Sequence, residues 1–159
     1  MRKFVLACAA LAALTGIAFG EENRVIGNWL LRVDDDRFSD GKTVIAITAQ
    51  GSTLLAVRCI QKNFSLAISA PAGGFEADDT VAIKFRADAN PIVETTGAPI
   101  NKAIIEVVAT PDMRRELLTA REYAFRVTMP NGAESDSVFK AGAAARALPE
   151  VLKACPEEK

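Results

Sequence analysis

Thr80-Val81-Ala82-Ile83-Lys84-Phe85-Arg86 alternates apolar and polar side chains with a period of two. Successive side chains of an extended chain point to opposite faces, so Val81, Ile83 and Phe85 share one face while Lys84 and Arg86 face water, the pattern of a half-buried strand. Downstream, Tyr123, Phe125, Val127 and Met129 repeat the arrangement, with Arg126 and Thr128 outside. Further strands are predicted at Trp29–Val33, Thr43–Ala49, Thr53–Ile60, Phe64–Ser69, Ile92–Thr96, Ala103–Val108 and Ser135–Phe139, several of them rich in β-branched residues. The segments Gln50-Gly51-Ser52, Gln61-Lys62-Asn63, Asp88-Ala89-Asn90-Pro91 and Pro130-Asn131-Gly132 are short and made of residues that tolerate turn dihedrals. The implied sheet is mainly antiparallel and meander-like.

Two segments have helical spacing instead. Thr110 can cap a helix over Pro111–Thr119, with Pro111 at its first position, Asp112 in the first turn and Met113 and Leu117 inward; Arg114, Arg115 and Arg121 read as the water-facing side. The second helix runs over about 141–154, where Leu148, Val151, Leu152 and Cys155 fall at i, i+3, i+4 and i+7. Pro149 inside it predicts a kink or a restart near Ala147. The fold class is α+β, mainly β: an antiparallel sheet or sandwich with one or two packed helices, the last at the C-terminus.

Composition narrows the chemistry. Of 159 residues half are hydrophobic and a quarter charged, as in one globular domain. The 19 basic and 20 acidic residues leave a formal charge of −1, with no field to steer nucleic acid. There is no histidine, which removes the commonest general base, the commonest metal ligand and the Ser-His and Cys-His nucleophile pairs. Arg2 and Lys3, the apolar run Phe4–Leu14 and the small-residue site Ala18-Phe19-Gly20 read as an export signal over residues 1–20, followed by a single domain over 21–159. Leu6-Ala7-Cys8 has too short a leader for lipid attachment. No later stretch is long and apolar enough to span a membrane. The expected location is periplasmic or secreted.

After leader removal two cysteines remain, Cys59 and Cys155. An even pair in an oxidising compartment reads as one disulfide, closing a loop of close to 100 residues for which the chain-entropy model gives roughly 4.7 kcal/mol. Leu55, Val57 and Cys59 share a strand face and Cys155 lies on the apolar side of the last helix, so both sulfurs can meet in the core. Two free buried thiols or a two-cysteine metal site are the rival readings, the latter disfavoured without histidine or a CxxC pair.

Trp29, Asp40-Gly41-Lys42-Thr43-Val44, Leu55-Ala56-Val57-Arg58-Cys59, Tyr123–Thr128 and Phe139-Lys140-Ala141-Gly142 through Ala154-Cys155 resemble the periplasmic accessory proteins associated with type VI secretion, the TagO-like or VasI-like group. That resemblance implies an early tryptophan strand, pairing of the two cysteines and a non-enzymatic role. The middle departs from it, since Trp29 is the sole tryptophan. The closing order of helix, strand, turn, strand and helix is also similar to the invasion-associated locus B-like exported proteins.

Candidate sites are few. Asp34, Asp35, Asp36 and Asp40 are dense enough to suggest Ca²⁺, but a loop register from Asp36 puts Phe38 and Ile47 where oxygen ligands belong, so a solvated loop is the better reading. Asp78 and Asp79 could supply an acid/base pair with Asp40, Glu94 or Glu106, or simply form a polar turn. No Gly-x-Ser-x-Gly or Ser-x-x-Lys motif exists, and Ala72-Gly73-Gly74-Phe75 lacks the lysine of a phosphate loop. Arg58, on the face opposite Cys59, and the outward Lys84, Arg86 and Arg126 form the candidate binding surface, against ordinary solubility on a wet sheet face. Trp29 is read as core rather than a ligand-stacking residue. The expected function is a non-enzymatic accessory or binding protein of the bacterial envelope, without cofactor or metal, engaging an envelope protein or polymer through a sheet face or edge. The alternatives are an envelope-polymer hydrolase with a carboxylate pair and a structural module without a ligand.

Overall fold

The structure, a computed structural model, describes residues 22–35, 41–70 and 74–157. The export signal over 1–20, Asp36 and Asp40 of the calcium and acid/base readings, and Ala72 and Gly73 lie outside the described residues. Among the described residues ten strands and two helices follow in chain order: β1 Glu22–Ile26, β2 Trp29–Asp35, β3 Lys42–Gln50, β4 Thr53–Ile60, β5 Asn63–Ser69, β6 Val81–Ala87, β7 Val93–Asn101, β8 Ile104–Val107, α1 Pro111–Thr119, β9 Glu122–Thr128, β10 Glu134–Lys140 and α2 Ala144–Ala154. The strands form one antiparallel sheet in the order β1-β2-β3-β4-β5-β8-β7-β6-β9-β10. The α+β expectation holds, and the meander holds through β5. There the order departs, because the long connection after Ser69 carries the chain past two strand positions and buries Phe75 in the core on the way.

Alternation decides which side chains meet. Cross-strand pairing aligns Val44 with Cys59, Val57 with Leu66 and Leu66 with Val107 in one half of the sheet, and Ile83 with Val127 and Phe85 with Phe125 in the other. All of these enter one buried cluster. Each large side chain so removed from water stabilises the fold by about 1.5–3 kcal/mol. The rings of Phe85 and Phe125 stand 5.0 Å apart and tilted by 51°. On the same inner face position 97 takes glycine, since a Cβ there would lie 2.6 Å from the Glu106 carbonyl oxygen of β8.

Two elements exceed the sequence reading. β1 is an unpredicted strand, joined to β2 by a two-residue turn in which Gly27 takes φ +63°. β7 runs beyond Thr96 to Asn101, and the register shift between Pro99 and Asn101 is a bulge of the kind that accommodates a proline in a sheet. At the β4–β5 hairpin, Gln61 and Lys62 occupy φ +49° and +67° between the paired residues Ile60 and Asn63. Left-handed backbone costs a residue with a Cβ about 1–2 kcal/mol. Lys62→Gly therefore raises stability by about 0.5–1 kcal/mol, after the greater unfolded-state freedom of glycine is subtracted. Urea denaturation reads this gain, and an unchanged or lower midpoint would count against the turn geometry.

The ends of the sheet are clasped together. Asn28, in the β1–β2 turn, donates from Nδ2 to the Lys140 carbonyl at 2.9 Å and to Thr48 Oγ1 at 3.1 Å, and its Oδ1 accepts from the Ala143 amide at 3.2 Å. Trp29 donates its indole N–H to the Ala141 carbonyl at 2.7 Å. Fully buried and so bonded, Trp29 is a core residue with no face open to a ligand.

Thr110 caps α1 by accepting from the Met113 amide at 3.2 Å, as its position before Pro111 predicts. In α2, Ala144, Ala147, Leu148 and Val151 face the core. No restart occurs near Ala147: the helix is continuous from Ala144 to Ala154 through Pro149. The carbonyl that Pro149 leaves without its helical donor belongs to the exposed Ala145, where water can satisfy it. At the end of α2, Cys155 is bonded to Cys59 of β4 with Cα atoms 5.7 Å apart, both residues buried. Arg114 corrects the reading of α1, since its side chain is only 13% exposed. Its guanidinium lies 4.4 Å above the Phe64 ring and donates to the Cys155 carbonyl at the end of α2, where a helix favours positive charge.

Tyr123, the sole tyrosine, is buried and donates its hydroxyl to the Leu117 carbonyl. Burial first, and then the negative charge of Asp88, pushes its pKa up. The native state thus favours the neutral phenol, so this contribution is intact below about pH 10, the ordinary tyrosine value, and is lost as pH rises beyond it. Phenolate absorbance should stay undeveloped in the folded protein well past that pH and appear on unfolding in urea. Native titration at the ordinary value would contradict the buried hydroxyl.

Candidate binding surface

The outer face of the sheet has two halves. Across β1 to β5, pairing aligns Val25, Leu30, Ile47, Ala56 and Ala67 in one apolar row. Val25, Leu30 and the nearby Leu54 are exposed. Across β7, β6, β9 and β10 a charged row runs Glu94, Lys84, Arg126, Asp136. Three of the four predicted basic residues, Lys84, Arg86 and Arg126, thus do lie on one outward face of neighbouring strands.

Each has company there. Lys84 lies 3.5 Å from Glu94. Arg126 donates to both carboxylate oxygens of Asp136 at 2.7 Å and approaches Glu134 at 3.2 Å. Those hydrogen bonds hold the Asp136 carboxyl below the usual carboxylate range and raise Arg126. Arg86 turns toward the β6–β7 turn and donates to the carbonyls of Asn90 at 3.0 Å and Ala89 at 3.3 Å. The surface is therefore a ladder of mixed sign rather than a bare basic stripe.

Arg58 is elsewhere. Three strands separate β4 from β6, so it lies roughly 19 Å across the sheet from Lys84 and Arg86 at the usual strand spacing. Its side chain, 13% exposed, donates to Ser65 Oγ at 3.0 Å and to Glu106 across two strands. It covers the sheet more than it faces solvent.

Of the carboxylates of the acid/base reading, Asp79, Glu94 and Glu106 each make a separate contact. Asp79 accepts from the Glu76 amide at 2.8 Å in the turn before β6. Glu94 is committed to Lys84 and Glu106 to Arg58. Glu106 pairs with Ala98, four residues along β7 from Glu94, so roughly 13 Å separates the two backbone positions. Among the described residues no group of three or more Asp, Glu or Cys could hold a metal ion. None of the described helices is long and apolar enough to cross a membrane.

A shallow groove of about 210 Å³ adjoins the charged ladder, lined by Arg86, Ile92, Ala124, Arg126 and Val138 among others. Ile92 is 56% and Val138 43% exposed. Sequence reading missed this groove because Val138 looked like an ordinary strand residue; the signal was an apolar side chain on the same parity as Glu134, Asp136 and Lys140.

No family model matches this chain, and no curated protein is similar to it in sequence. Its fold is similar to the crystal structure of invasion associated protein B from Bartonella henselae, with a TM-score of 0.59 and 12% identity over 86% of this chain and 99% of that one. The type VI secretion resemblance finds no support in these matches, whereas the resemblance to invasion-associated locus B-like proteins agrees with them at the level of architecture. At 12% identity the likeness is one of fold.

Proposed function

We propose that this chain is an exported, non-enzymatic binding or accessory protein of the bacterial cell envelope. The observation that carries the reading is the buried Cys59–Cys155 disulfide, which ties the last helix to an early strand across 96 residues and calls for an oxidising compartment. The leader-like residues 1–20 support the same location. A non-catalytic role is supported by the commitment of Glu94 and Glu106 to cations and by the absence of histidine. A place beside a type VI secretion machine rests on the sequence resemblance alone. The test is site-specific photocrosslinking in cells, with the reactive group placed in turn at exposed positions of the outer sheet face. A reproducible protein adduct from the envelope fraction is the expected result, and retention of the protein in the cytoplasm or a lack of any reproducible adduct would overturn the reading.

A further inference from the structure

β10 ends the sheet, and the direction of its backbone groups follows from its single partner. The Ala141 amide donates to the Arg121 carbonyl at 2.8 Å, and the Met129 amide to the Ala133 carbonyl at 2.7 Å. Odd-numbered residues of this strand therefore turn their backbone groups toward β9. Because bonded and non-bonded pairs alternate in antiparallel sheets, Glu134, Asp136, Val138 and Lys140 turn theirs away from it. The Lys140 carbonyl confirms the parity by accepting from Asn28 beyond the strand. Asn28 also closes the edge at that point. Glu134, Asp136 and Val138 are left with backbone N–H and C=O groups that have no ladder partner among the described residues, although β10 approaches β3.

Sheet edges are commonly protected by bulges, prolines or inward-pointing charges. β1, at the other end, turns Arg24 inward to Glu150 of α2. β10 has none of these devices: it pairs with β9 without a register shift, and Ser135, Ser137 and Phe139 form its inward side. Its outward side has a definite chemistry. Glu134 and Asp136 share the single guanidinium of Arg126, which leaves one net negative charge, and Val138 opens onto the apolar groove with Ile92.

We propose that the β10 edge binds an extended segment of a partner protein, added as a further strand, with cationic side chains opposite Glu134 and Asp136 and an apolar one opposite Val138. Main-chain hydrogen bonds to three edge residues would supply affinity, and alternate side chains specificity. This inference rests on the binding-protein reading and names the surface and the partner chemistry for it.

The test uses the disulfide-bonded protein and the synthetic peptide Lys-Thr-Lys-Thr-Val-Thr, its reversed sequence, and both with glutamate in place of lysine. One lysine peptide should bind saturably and slow amide exchange of Asp136 and Val138 about tenfold or more, with the glutamate peptides inert. Val138→Pro removes an amide that faces the edge and not β9, so it should weaken binding about tenfold or more while circular dichroism stays unchanged. Glu134→Lys with Asp136→Lys should shift preference to the glutamate peptide, which tests the charge argument even where the proline perturbs the strand. Equal binding of lysine and glutamate peptides, protection at a different strand, or no saturation by about 1 mM, a free energy near −4 kcal/mol, would overturn the proposal. Should crosslinking in cells meanwhile capture an envelope protein through another surface, the binding-protein reading stands and only the edge assignment falls.

Discussion

Replacing Cys59 and Cys155 together by alanine should lower the free energy of unfolding by about 4–5 kcal/mol, the cost of restoring freedom to an unfolded loop of this length. Against a typical domain stability of about 5–15 kcal/mol, that is a large share. The bond earns this effect by position as well as length. It joins β4, in the half of the sheet made of β1 to β5, to the end of a helix that packs on β3 and β4, so the C-terminal turn of α2 cannot fray while it is intact. Arg114 seals the same spot from α1 by donating to the Cys155 carbonyl. Urea denaturation of oxidised and double-alanine proteins reads the difference directly. The denaturant slope should also rise, because the uncrosslinked unfolded chain exposes more surface. A loss below about 1 kcal/mol would mean that the tie restrains little of the unfolded ensemble.

Gly142→Val should be the most damaging single substitution on the clasp between the two ends of the sheet. Gly142 holds φ +54°, and a Cβ there would lie 2.2 Å from Asn28 Oδ1. The variant must therefore bear left-handed strain of about 1–2 kcal/mol and displace Asn28 from the Lys140 carbonyl, Thr48 and the Ala143 amide. With about 1 kcal/mol for each of the three lost hydrogen bonds, the expected destabilisation is about 4–5 kcal/mol. Gly27 faces the same junction, where a Cβ would meet that of Ala143 at 2.6 Å. Thermal melting checks the effect, and Asn28→Ala should reproduce roughly two thirds of it, the share of the three hydrogen bonds. A Gly142→Val protein as stable as the parent would show that the sheet ends are not held by this contact.

Much of this architecture is visible in the period-two segments, since Val81, Ile83 and Phe85 or Leu55, Val57 and Cys59 must face one core once their polar neighbours face water. β1 escapes that logic because its inward residues include Glu22 and Arg24 while the exposed Val25 points out, which inverts the usual pattern. Its turn was nevertheless marked: Gly27-Asn28 is a two-residue hairpin pair. Arg114 eluded the helical reading because periodicity along α1 locates its water side only for an isolated helix, and α2 packs against it. Alternation puts Lys84, Arg86 and Arg126 on the outward face, but strand order decides which carboxylates stand beside them. That order cannot be read locally, because β5 pairs with β8 across the whole β6–β7 hairpin. The same holds for the β10 edge, since Ser135-Asp136-Ser137-Val138 reads alike in a central or a terminal strand.

The most direct measurement is intact-mass and peptide mapping, without reductant, of the protein recovered from outside the cytoplasm. A single species that lacks the leader and yields one peptide pair joined through Cys59 and Cys155 is what an extracytoplasmic, covalently closed domain must give. Recovery of the unprocessed chain with both thiols free would contradict it.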